Sequence, residues 1–140
     1  MNTEASTSID ITSWDEHNYD SGDEATPLAR AVVTGNYTGD LVGAGRLELL
    51  LVYLADGTAS YVGHERVVGI LHGRQGSFVL RHTGTFHAGA AHTDWEIVPG
   101  SGTGELTGLA GSGGYQANEG STIPTARLTY ALTSSTPHDS

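Results

Sequence analysis

The sequence predicts an all-β chain folded as a single closed antiparallel barrel of about eight strands. Three observations point there. No helical period persists along the chain. Short β-rich runs recur instead, separated by Gly, Asp, Asn and Pro. The 140 residues include 20 glycines but only four prolines, a balance that suits many tight turns and sharply bent strands. This glycine pattern favours a barrel over a two-sheet sandwich. Consecutive hairpins favour a meander, and closing a meander removes its sticky edges.

Each element has its own signal. A first strand is read near Ser6–Trp14, followed by an acidic loop to Pro27. A second runs near Leu28–Tyr37 and a third near Gly43–Leu54. The Asp56-Gly57-Thr58 segment is a hairpin turn signal. The fourth strand covers about Ser60–Leu71, and His72-Gly73-Arg74-Gln75 turns the chain into a fifth at Gly76–Phe86. His87-Ala88-Gly89-Ala90 leads to a sixth at Ala91–Val98, ended by Pro99-Gly100. A Gly-rich strand near Gly104–Tyr115 and a last one near Thr125–Leu132 complete the set. The whole chain, 1–140, reads as one domain, with a polar tail from about residue 134.

Composition narrows the chemistry. The chain has no cysteine, so disulfides and thiolate metal sites are ruled out. It has no lysine either, which excludes lysine Schiff-base catalysis. A formal charge of −10 repels phosphate backbones and anionic lipid, so neither nucleic acid nor membrane is expected as a partner. Part of that charge lies in Asp15, Glu16, Asp20, Asp23 and Glu24, read as a solvated run. With no basic, apolar leader at the start and no long apolar span, the expected location is the cytoplasm. The seven histidines include no His-x-His pair and show no convergent ligand spacing, so no metal is expected.

Alternation sorts the hairpin strands into faces. The faces carrying Arg66, Arg81, and Asp94 with Glu96 look solvated, which turns Glu65, His82 and Trp95 inward. A four-residue turn at His72–Gln75 pairs Leu71 with Gly76 and so sets Glu65 directly opposite His82. A four-residue turn at His87–Ala90 brings His82 opposite Trp95. A carboxylate that orients an imidazole is what a general acid–base pair needs. The same pair also reads as two buried polar groups satisfying each other. In this register Gly63 faces Gly84, leaving a gap walled by Tyr61, Phe86 and Trp95 as the ligand-binding space. The third strand, Arg46 to Leu54, is apolar on both faces for most of its length. Such a strand is covered on both sides; either the N-terminal segment or another subunit supplies the outer cover, and a homo-oligomer is expected. The facing of Glu48, Tyr53 and Glu105 stays open.

The strings Asp56-Gly57-Thr58-Ala59-Ser60-Tyr61-Val62-Gly63-His64-Glu65-Arg66, Gly76-Ser77-Phe78-Val79-Leu80-Arg81-His82-Thr83-Gly84-Thr85-Phe86 and Val98-Pro99-Gly100-Ser101-Gly102-Thr103-Gly104-Glu105-Leu106 carry a resemblance. Together they resemble a bacterial family of small proteins, a domain of unknown function grouped with the allene oxide cyclase-like barrels. The resemblance runs from about Trp14 to Leu132 and implies an eight-stranded barrel. Better-known barrels of that wider group include plant oxylipin cyclases, dirigent proteins and bacterial polyketide cyclases, which hold apolar molecules in the barrel. None of their catalytic residues carries over to these motifs. The expected function is therefore a barrel binding a small apolar molecule. Its chemistry would be a cofactor-independent isomerisation or cyclisation, with Glu65 and His82 moving the proton and Tyr61, Gly63, Gly84, Phe86 and Trp95 shaping the pocket. A non-catalytic carrier and a packed structural or interaction protein are the alternatives.

Overall fold

The computed structural model describes residues 2–21, 26–118 and 124–133. Eight strands run in chain order around a closed barrel: β1 Thr3–Asp20, β2 Leu28–Gly39, β3 Leu41–Tyr53, β4 Ala59–Leu71, β5 Arg74–His87, β6 Ala90–Ile97, β7 Leu109–Asn118 and β8 Thr125–Leu132. Every neighbouring pair is antiparallel, and β1 pairs with β8 over Thr3–Ser8 to close the circle. Among the described residues, β1 continues from there beside β2 as far as Asp20, with irregularities in register at Ile11/Ser13 and Asn18/Asp20. The first part of the expected acidic loop is thus strand: Asp15, Glu16 and Asp20 belong to β1, while Asp23 and Glu24 lie outside the described residues, as does the polar tail.

Two other boundaries differ from the sequence reading for identifiable reasons. The chain enters β7 at Leu109, not Gly104, because Gly104–Leu106 makes a 3₁₀ turn flanked by left-handed glycines at Gly104 and Gly108. That turn buries Leu106 among the core side chains, and Glu105 on it accepts a 2.8 Å hydrogen bond from the Gln75 amide. The β4–β5 turn has two residues, His72-Gly73, both with positive φ (47° and 84°). Leu71 therefore pairs with Arg74. Two left-handed central residues give the turn twist that suits a tight hairpin, and His72 tolerates the conformation where a bulkier branched residue would not.

Inward residues form two apolar clusters. One holds Trp95, Phe78, Leu80, Leu71, Leu128 and their neighbours. The other holds Ala29, Ala31, Val33, Leu47, Leu49, Leu51 and Tyr61. In β3, alternate residues Leu47, Leu49 and Leu51 are buried, whereas Leu50 on the opposite face is half exposed. Glu48 shares the outer face and receives a 2.8 Å hydrogen bond from Arg30. Tyr53 lies on the inner face, packed against the second cluster, and its hydroxyl donates to Glu16. Among the described residues no helix is long and apolar enough to cross a membrane.

A buried carboxylate–imidazole–phenol site

Glu65 and His82 are both buried, on β4 and β5. The two-residue turn shifts the predicted register by two, so Glu65 faces Leu80 and His82 faces Gly63. The expected direct opposition of Glu65 and His82 is therefore corrected to a diagonal one. An even shift leaves every side chain on its face, and long side chains reach diagonal partners. His82 Nε2 and Glu65 Oε1 are accordingly 2.7 Å apart. The β5–β6 register is as read from the sequence, with His82 opposite Trp95.

The site contains more than the pair. Tyr37 on β2 donates its hydroxyl to the other carboxylate oxygen, Glu65 Oε2, at 2.6 Å. Gly45 on β3 makes this possible: a Cβ there would lie 1.9 Å from Glu65 Oε2. Trp95 packs edge-on against His82, Tyr37 and Tyr115, with ring centroids 5.9, 6.2 and 5.7 Å away. Its indole Nε1 is buried and has no acceptor among the described residues. Burial, followed by the Glu65 charge and hydrogen bond, holds the Tyr37 hydroxyl well above its ordinary pKa. Burial likewise pushes Tyr115 up to about 12. Both phenols therefore stay protonated, and Tyr37 acts as a donor to the carboxylate.

A small void adjoins this cluster. It is lined by Ile9, Ile11, Val33, Gly35, Tyr37, Leu47, Glu65, His82 and Tyr115, with a volume near 20 Å³. That is room for about one water molecule.

The glycine-backed gap expected from the sequence is absent. Gly84 faces Tyr61, not Gly63, and the Tyr61 ring fills the space: a Cβ on Gly84 would approach it to 2.4 Å. Tyr61 in turn bonds Thr93 Oγ1 at 2.7 Å. Gly63 offers no space either, since its Cβ would fall 2.1 Å from the Glu48 carbonyl oxygen. Phe86 shares the inward parity but lies near the end of β5, 39% exposed, and lines no part of the void. Gly84→Ala is expected to cost about 1–3 kcal/mol in urea unfolding, because Tyr61 must leave its position. An unchanged midpoint would mean that the ring has room to move.

Residues 5–130 match the family described as "Protein of unknown function (DUF3224)". The chain belongs to the DUF3224 family. A crystal structure of a DUF3224 protein of unknown function from Shewanella oneidensis MR-1 is similar at 32% identity and a TM-score of 0.83, covering 96% of this chain and 100% of that one. No curated protein matches the chain. This DUF3224 barrel keeps Glu65, His82, Trp95 and Tyr61 on its inner surface, but Gly63, Gly84 and Phe86 line no part of the void beside them. Tyr37, Tyr115 and Gly45 were not picked out from the sequence. The alternation Ala29, Ala31, Val33, Gly35, Tyr37 carried the signal for Tyr37, since its fifth member must share the buried face of the first three.

Proposed function

We propose that the barrel takes up one small, mostly apolar molecule beside Glu65 and His82 and moves a proton within it, as a cofactor-independent isomerase or cyclase. The supporting observation is the buried set of His82, Glu65 and Tyr37 at the edge of a void whose other walls are Ile9, Ile11, Val33, Gly35, Leu47 and Tyr115. An isomerisation removes a proton from one carbon and returns one to another. It neither gains nor loses atoms, and a carboxylate–imidazole pair suffices to hold the proton in between. Tyr37 and Tyr115, kept protonated by burial, are suited to donate hydrogen bonds to a carbonyl oxygen as negative charge develops on it. The void has room for about one water. Entry of a ligand therefore requires Ile11, which lines the void and is 46% exposed, to swing outward.

Small enones such as cyclohexenone and β-ionone are suitable probes. In D2O the protein should accelerate deuterium exchange at the carbons next to the conjugated system, and binding should move the His82 ring ¹⁵N resonances. Glu65→Gln keeps the shape of the site; it should retain binding and lose exchange by roughly 10²–10⁴-fold. Binding without exchange would favour a carrier barrel. Neither binding nor exchange would leave the packed scaffold.

A further inference from the structure

The outer face of β2–β5 carries a broad concavity of about 1120 Å³, separate from the buried site. Four of the six basic residues in this acidic chain line it: Arg30, Arg46, Arg66 and Arg81. Arg46 and Arg66 are directly opposed across β3 and β4. Like charges in that position repel. Glu48, 2.8 Å from Arg30 and 3.9 Å from Arg46, and Glu96, paired with Arg81, offset part of the charge, while Arg66 has no carboxylate partner among the described residues. The arginine pair is flanked by Ala44–Val68 on one side and Glu48–His64 on the other, with the apolar pair Leu50–Val62 beyond. Leu50 is 50% and Val62 49% exposed. This is an apolar, positively charged surface on a protein of net charge −10.

The complementary surface lies two strands away. The outer face of β1 presents Asp10 and Asp15, both exposed and paired in register with Asn36 and Val32 of β2. Beyond Ile9 this strand pairs with β2 alone among the described residues, forming the rim of the concavity at Thr12. An acidic rim and a basic, apolar groove therefore share one continuous face.

We infer that this face binds a second copy of the same chain in a two-fold dimer. An axis between β2 and β3 lays β1 of each copy over β4 of the other, so that each acidic rim enters the partner's arginine groove. Each contact is then made twice. Self-association of two −10 chains is opposed at long range, and this face is where opposite signs meet.

Sedimentation of the full chain at tens of micromolar tests the inference. The expected result is a dimer that weakens as NaCl is raised. Arg46→Glu with Arg66→Glu should weaken it by roughly a hundredfold or more, since like charges would then face each other. Adding Asp10→Arg and Asp15→Arg to that variant should restore the dimer. Circular dichroism of these surface variants confirms the fold. A wild-type monomer overturns the inference, as does a dimer indifferent to the arginine reversals. A monomer that takes up a poly-glutamate peptide on this face also overturns it, since the occupant would then be an acidic partner.

Discussion

Replacing His82 alone by leucine is expected to destabilise the barrel by about 3–5 kcal/mol at neutral pH. The change leaves the Glu65 carboxylate buried with one donor, Tyr37, in place of two. A buried charge that loses its partner retains its desolvation cost and loses the compensating interaction. The double variant Glu65→Leu/His82→Leu should recover most of the loss, because well-packed apolar side chains replace buried ion pairs at little cost. What remains should be about 1–3 kcal/mol from the unpaired Tyr37 hydroxyl, removed in turn by Tyr37→Phe. Urea unfolding of the four proteins gives the comparison. If the double variant is as unstable as His82→Leu, the carboxylate is not the source of the strain, and loss of packing around the imidazole is. A stable but inactive triple variant would show that the polar set is kept for chemistry and not for folding.

Stability is also expected to fall steeply above about pH 10. In the unfolded chain each tyrosine ionises near pH 10. In the folded chain Tyr115 holds its proton up to about 12, and Tyr37 is raised well above its ordinary value. A raised folded-state pKa means that the stabilisation is fully present below pH 10. Above it the unfolded state releases protons that the folded state retains, so unfolding becomes easier as pH climbs. Each such group contributes about 1.4 kcal/mol per pH unit, so the two together give about 2.7 kcal/mol per unit. For Tyr115 that loss runs from pH 10 to about 12. Tyr53 is also raised to about 12, but it is only partly buried and adds less. Thermal melts between pH 8 and pH 11.5 should show the drop in the wild type and a shallower one in Tyr37→Phe and Tyr115→Phe. Parallel curves for wild type and variants would mean that the phenols ionise without unfolding the barrel.

Much of this fold is legible in the sequence because alternation survives small errors of register. The β4–β5 turn was read as four residues and has two, yet Glu65 and His82 still meet, since the error was even. An odd error would have turned one of them outward. The β5–β6 register follows from His87–Ala90 because extending that hairpin by one pair, His87 with Ala90, leaves Phe86 opposite Ala91. The size of the interior was not legible in the same way. Glycines in a strand mark missing side chains, but not which neighbour fills the space, and here Tyr61 covers Gly84 while Glu65 covers Gly45. Nor could periodicity in β1 extend the strand to Asp20, because irregularities in register break its alternation. The outer apolar face of β3 was foreseen, but the arginine pair beside it depends on the β3–β4 register, which the sequence reading did not fix.

The closure of the barrel has a consequence for how the chain reaches it. Seven of the strand pairings join neighbours in sequence, while the eighth sets Thr3 opposite Tyr130, 127 positions later. Hairpins can form and grow as the chain leaves the ribosome, but the seam cannot be sewn until β8 has emerged. Until then β1 and the last finished strand each present an open edge, the condition in which β chains pair with the wrong neighbour. Joining ends so far apart carries a large loop entropy when nothing lies between them. With the intervening meander already folded, that distance collapses to the width of one strand gap. Closure is then the final and least costly step, and a chain stalled before β8 is the species most prone to aggregate.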